Sequence, residues 1–217
     1  MQITPLTIEG AWKVLPRQHA DDRGVFLEWF AGSAFEQATG QRLELAQANI
    51  STSAAGVVRG IHFADVPPGQ AKYVTCPSGA VLDVVVDLRV GSATFGRHET
   101  VLLDDVDRAA LYLSEGLGHG YMALQDGAVF AYLCSAPYAP GHEHGVSPMC
   151  PELAIDWPVQ GRDGRPLTPL MSPKDLAAPG LSQALADGLL PTLDQTQQRR
   201  AQLQNAHRGL AAGRPRP

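Results

Sequence analysis

The chain has 217 residues, 44% of them hydrophobic and 18% charged, with 22 glycines and 17 prolines; this is enough apolar sequence for one core, excludes a disordered chain and points to a loop-rich β protein. The formal net charge is −5, yet residues 176–217 hold only Asp187 and Asp194 against five arginines, so the main body is acidic and lacks the basic surplus that nucleic-acid binding demands. No run of about 18 apolar residues occurs and the start after Met1 is polar and strand-like, which excludes a membrane span and a signal peptide and makes the cytoplasm the expected location.

Ser33 to Gly40 reads Ser-x-x-Glu followed by Gly, a capping box and a helix stop. It predicts a short helix, the only one before residue 176. From Val57 the apolar runs are short and broken by turn residues, and they predict strands over 57–63, 72–76, 80–89, 99–103, 109–113, 120–124 and 128–134. No helical stretch of about ten residues separates them, which excludes parallel crossovers and leaves antiparallel hairpins. The fold class is therefore all-β, a jelly-roll (cupin-like) antiparallel barrel or sandwich with short peripheral helices. Beyond Trp157 the prolines at 158, 166, 169, 173 and 179 predict loops. Asp194 to Gly213 reads as a helix with Asp194 as its N-cap and a thin apolar stripe of Leu203, Ala206 and Leu210. Residues 1–178 are read as the jelly-roll domain and 179–217 as a C-terminal appendage, partly helical and frayed from Gly213 to Pro217.

In Arg59-Gly60-Ile61-His62-Phe63, Arg59 and His62 point to opposite faces of a strand unless Gly60 marks a bulge. His62 is then either a satisfied core histidine or a reactive imidazole. Lys72 is one of three lysines beside fourteen arginines, and it is either an edge residue with its stem on apolar surface or a placed cation. Asp83 and Asp87, four apart on one strand, share a face and need partners, for which Arg89 and Arg108 are the candidates. The glycines around His119 suit close approach of a ligand and suit a tight turn equally. Cys76, Cys134 and Cys150 form no Cys-x-x-Cys pair and read as free thiols. A metal-dependent cupin carries His-x-His with a carboxylate on one strand. Here His62 lacks a histidine at 60 or 64, and His142-Glu143-His144 follows Pro140-Gly141 in a predicted loop, so no metal is expected.

Taken together, Arg23-Gly24, Arg59 to Phe63, Ala71-Lys72, Asp83 to Arg89, Thr94-Phe95-Gly96, Glu115-Gly116 with His119-Gly120, Tyr132, Tyr138-Ala139-Pro140, Ile155 to Pro158 and Ser172-Pro173-Lys174-Asp175 resemble the dTDP-4-dehydrorhamnose 3,5-epimerase family, in unbroken order over about residues 1–178. The resemblance implies a homodimer without metal or cofactor that acts on a dTDP-linked 4-keto-6-deoxyhexose. It implies that His62 is the general base, paired with Asp175, that Tyr132 is the opposing acid, and that Lys72 neutralises the enolate oxygen. By the same likeness Arg59 and His119 line the sugar diphosphate site, with Gln47, Asn49, Glu143 and Lys174 nearby, and Tyr138 is a gate beside the sugar. Arg23 and Glu28 would reach the nucleotide held by the partner subunit.

The residue types suit that chemistry. C3 and C5 both flank the C4 ketone, so loss of either proton gives an enolate, for which imidazole is a base of suitable pKa. A compact ammonium stabilises charge that develops only as the proton leaves. Leu117, Gly118, Tyr121 and Pro137 depart from the family pattern, and Pro137 restricts the backbone before Tyr138. This favours inversion at C3 alone, with 3,5-double epimerisation as the alternative and a non-catalytic or metal-binding sugar-binding jelly roll as the second.

Overall fold

A computed structural model of the chain describes residues 1–212. Its elements in order are β1 (Gln2–Pro5), β2 (Ala11–Leu15), β3 (Gln18–Asp21), β4 (Gly24–Leu27), α1 (Gly32–Thr39), β5 (Gln47–Ser53), β6 (Val58–Ala64), β7 (Lys72–Ser78), β8 (Ala80–Asp87), β9 (His98–Asp104), β10 (Ala110–Leu113), β11 (Leu117–Ala123), β12 (Ala128–Cys134), β13 (Glu143–Gly145), α2 (Pro173–Leu176), α3 (Leu181–Ala186) and α4 (Leu193–Ala212). Strands β6 to β12 are the seven that the apolar runs predict, and every pairing between named strands is antiparallel. A six-stranded sheet in the order β1-β2-β10-β7-β12-β5 packs on a five-stranded sheet in the order β13-β6-β11-β8-β9, while β3 and β4 pair only with each other. This is the cupin-like jelly roll.

Alternation along each strand sorts side chains into three layers. Val81 and Val85 of β8 point between the sheets, where they meet Val74, Cys76, Leu111, Tyr121 and Phe130. Val84, Val86 and Leu88 point outward and pack with Ile61, Phe63, Val146 and Leu153. Leu181, Ala184 and Leu190 join that outer cluster, so the segment after residue 178 contributes to the buried core. On the far side Phe35 of α1, 1% exposed, packs with Val14, Tyr73 and Tyr112 against the six-stranded sheet.

β1 to β5 and β13 lie outside the predicted set, and β5 shows why. Its inward positions are Gln47, Asn49, Ser51 and Ser53, while Ile50 is 74% exposed. A strand that lines a polar cavity inverts the pattern by which strands are recognised.

The helix ends also correct the sequence reading. α1 is capped at Ala31 with no side-chain bond, so Ser33 lies inside the helix; Gly40, at φ +68°, ends it as the sequence predicts. α2 is a second helix that the sequence reading lacks. Pro173 opens it, and the Ser172 hydroxyl accepts a bond from the Asp175 N–H at 3.1 Å. α4 is capped by Thr192 in place of Asp194. The Thr192 N–H donates to Gln195 Oε1 at 2.8 Å and the Gln195 N–H donates back to Thr192 Oγ1 at 3.2 Å, a reciprocal box that a lone Asp194 cannot make. Leu203 is half-buried and Ala206 exposed; the Leu210 side chain and Gly213 to Pro217 lie outside the described residues.

Arg89 is the partner of Asp87. It is 1% exposed and donates twice at 2.8 Å, while Ser92 and Thr94 each donate to the same carboxylate at 2.6 Å. Arg108 takes neither aspartate and bonds Gln18 Oε1 at 2.6 Å instead.

Candidate active site

The register between β6 and β11 places His62 opposite His119 but Arg59 opposite Tyr121. Three steps along β6 therefore match two along β11, which puts one extra residue in β6. The bulge falls at Gly60, whose φ is +117° and where a Cβ would stand 2.6 Å from the Gly120 Cα. It resolves the facing of the motif: Arg59 and His62 both line the inter-sheet cavity, and Ile61 and Phe63 turn to the outer core. A Cβ on Gly118 or Gly120 would come within 2.7 Å of the Ile61 side chain. Those glycines thus serve packing behind the site.

The cavity, about 170 Å³, is lined by Ser51, Arg59, His62, Lys72, His119, Tyr121, Phe130 and Tyr132. A second opening of about 310 Å³ shares Arg59 and His62 and is bounded by Ser172, Lys174 and Asp175. His62 Nε2 lies 2.6 Å from Asp175 Oδ1, and the Ser172 hydroxyl donates to Asp175 Oδ2 at 2.9 Å. Burial pushes the Asp175 carboxyl up, but the hydrogen bond and charge of His62, with help from Ser172 and Lys174, outweigh it and hold the group below the usual carboxylate range. Desolvation lowers the pKa of Lys72, opposed in part by Cys134, Glu143 and Asp83. Burial raises that of the Tyr132 phenol, with Cys134, Tyr121 and Glu143 adding to it.

Asp83 is fully buried and bonds His119, with Oδ2 2.8 Å from Nε2. Its partner is a histidine of the site, in place of the expected arginine, and it does not touch His62. Its Oδ1 has no partner among the described residues. The Tyr138 N–H donates to Gln47 Oε1 at 2.8 Å, and Gln47 Nε2 donates to Asn49 Oδ1 at 2.8 Å. Tyr138 itself is 55% exposed. Glu143 is half-buried on β13. His142 and His144 lie 3.0 and 2.7 Å from the two oxygens of Asp65, and neither these three nor any other group of metal-binding side chains among the described residues is arranged to hold a metal ion.

His62, Lys72, Tyr132, Asp175, Arg59, His119 and Lys174 are thus brought together. Arg23 and Glu28 are not: both are exposed, Arg23 is paired with Asp21, and neither lines the cavity of its own chain. Ser51, Ser53 and Phe130 are additions that the sequence reading does not assign to the site, and Tyr121, there read only as a change in the wall around His119, bonds both serines. The signal available for the serines was the polar alternation of residues 47 to 53.

A jelly roll whose inward positions bring His62, Lys72 and the Tyr132 phenol to one cavity, with Asp175 of α2 bonded to His62, has the architecture of a cupin-like enzyme. The chain belongs to the dTDP-4-dehydrorhamnose 3,5-epimerase family, an isomerase family whose model matches residues 5–183. A dTDP-4-dehydrorhamnose 3-epimerase of Streptomyces niveus is 59% identical over 88% of this chain and 89% of its own. A dTDP-4-dehydrorhamnose 3,5-epimerase of Mycobacterium tuberculosis is 51% identical over 91% and 96%. The crystal structure of ChmJ, a 3'-monoepimerase from Streptomyces bikiniensis in complex with dTDP-quinovose, superposes with a TM-score of 0.86 at 48% identity over 91% of this chain and 97% of that one.

Proposed function

We propose that the chain epimerises a dTDP-linked 4-keto-6-deoxyhexose at C3, as a cytoplasmic homodimer in deoxysugar biosynthesis. The observation that carries the reading is the His62–Asp175 pair, 2.6 Å apart beside the cavity that also holds Lys72 and Tyr132. His62 removes the proton next to the ketone, and Asp175 orients the ring and stabilises the imidazolium that forms. Lys72 stabilises the enolate oxygen as its charge appears. Tyr132 returns a proton from the opposite face, which inverts the carbon. Arg59 and His119 take the diphosphate, with Gln47, Asn49, Glu143 and Lys174 around the sugar and nucleotide. Arg23 and Glu28 serve the partner's site, a role that suits a hairpin bound to no other strand of its own chain, with Phe26 68% exposed.

Two observations favour a single centre. The 3-epimerase from Streptomyces niveus is 59% identical, against 51% for the mycobacterial 3,5-epimerase, while two further 3-epimerases are 50% and 48% identical. The Tyr138 backbone, which follows Pro137, is tethered to Gln47 at 2.8 Å, which limits how the tyrosine can move aside for a re-seated ring. The test is incubation with dTDP-4-keto-6-deoxyglucose in deuterated water, with the product read by mass and NMR. Deuterium at C3 alone is the expected outcome; uptake at C3 and C5 at comparable rates makes the enzyme a double epimerase. No exchange at either carbon would leave a sugar-binding protein.

A further inference from the structure

The inner face of β5 carries two hydroxyls, Ser51 and Ser53, that the proposed chemistry leaves unused. Both meet the phenol oxygen of Tyr121, at 2.9 and 3.2 Å, and Arg59 Nε donates to Ser53 Oγ at 3.3 Å. Tyr121 is 4% exposed and its ring stacks on Phe130 with centroids 4.2 Å apart, so its oxygen is held in place by packing. It stands on β11 of one sheet and the serines on β5 of the other. The cluster therefore ties the two sheets together beside the cavity.

The order of protons follows from the donors present. A guanidinium has no acceptor, so Ser53 Oγ must accept from Arg59. Ser53 is 3% exposed, and among the described residues the acceptor within reach of its own proton is the Tyr121 oxygen. A phenol has one proton, and that of Tyr121 then goes to Ser51 Oγ. The reverse order would leave the buried Ser53 proton without an acceptor, which is costly. The Ser51 proton is the one left over, and Ser51 lines the cavity beside Arg59.

We propose that Tyr121 is a positioning residue for substrate binding: through Ser53 it holds the Arg59 guanidinium, and through Ser51 it presents a second hydrogen-bond donor to the anion that Arg59 takes. The inference rests on the reading above, in which that anion is the diphosphate of a dTDP-linked sugar. Hydrogen bonds to an ionised oxygen are stronger than neutral ones and add direction to a charge contact. They form with the bound diphosphate before and during proton transfer alike, so their loss falls on KM.

Tyr121→Phe removes the hydroxyl and keeps the ring on Phe130. Titration with dTDP and steady-state kinetics on the dTDP-4-keto sugar should show Kd and KM raised about three- to tenfold, with the change concentrated in KM and not in kcat. Ser51→Ala, on the cavity wall, should move both constants in the same direction, and it decides the matter if Tyr121→Phe folds poorly. Arg59→Ala is the reference. If that variant binds dTDP as the parent does, the assignment of Arg59 to the diphosphate fails, and this inference with it. If Arg59→Ala weakens dTDP while Tyr121→Phe and Ser51→Ala bind normally, or if Tyr121→Phe lowers kcat at constant KM, this inference alone is overturned.

Discussion

His62 meets Asp175 at 2.6 Å and Asp175 is 5% exposed, so the two side chains act as one unit whose members are not equivalent. Removing the base removes the proton acceptor; removing the carboxylate charge leaves the acceptor in place but less well oriented. His62→Ala is expected to cut solvent deuterium exchange at every sugar carbon by about 10²- to 10⁴-fold while dTDP affinity stays within about threefold. Asp175→Asn is expected to lose less. Both are checked by exchange rates beside dTDP titration, and parent-like exchange in His62→Ala would remove His62 from the mechanism. At this scale identity was legible in the sequence, and so, through the resemblance, was the pairing of His62 with Asp175; the partner of His119 was not. His62, Lys72, Tyr132 and Asp175 are legible through the resemblance. That Asp83 holds His119, at 2.8 Å, depends on the register of β8 and β11, which sets Asp83 opposite Tyr121 and diagonal to His119.

Among the elements, the segment that leaves β8 carries a buried polar anchor. Asp87 and Arg89 are 0% and 1% exposed, and Ser92 and Thr94 close on the same carboxylate. Truncating one member of such a pair strands the other charge in the core, so Asp87→Ala is expected to cost about 3–5 kcal/mol, read from urea unfolding. Burial alone raises the Asp87 pKa, but Arg89, Ser92 and Thr94 outweigh it and the folded value is depressed. A depressed carboxylate contributes stability that is present above its unfolded value, about pH 3.9, and is lost as pH falls through the lower folded value. Stability should therefore decline below about pH 4, and Asp87→Asn should remove part of that slope. Strands that carry continuous apolar runs, buried on both faces as β8, β10 and β11 are, were readable. β5 was not, because its inner face looks into the site, and α2 was not, because four residues carry no helical period; only the Ser-Pro-Lys-Asp capping pattern marks it.

For the whole molecule, the β3–β4 hairpin stands outside both sheets, with Val25 44% and Phe26 68% exposed. If it completes a partner's site, the protein should run at twice the 23.1 kDa of one chain. Phe26→Asp should then shift it toward the monomer and weaken dTDP binding. Full activity at the mass of a single chain would contradict the assembly. Composition, the short apolar runs and the ordered motifs determined by themselves an all-β jelly roll and its family, because strand alternation and residue chemistry are local properties of the chain. Only the tertiary structure decided that Gly60 re-aims Arg59 and His62 into one cavity and that Asp83 serves His119. It also decided that Ser53, on the opposite sheet, links Arg59 of β6 to Tyr121 of β11. Each of these depends on the register between strands distant in the chain, and that register is set by how the two sheets close over their shared core, which no local pattern encodes.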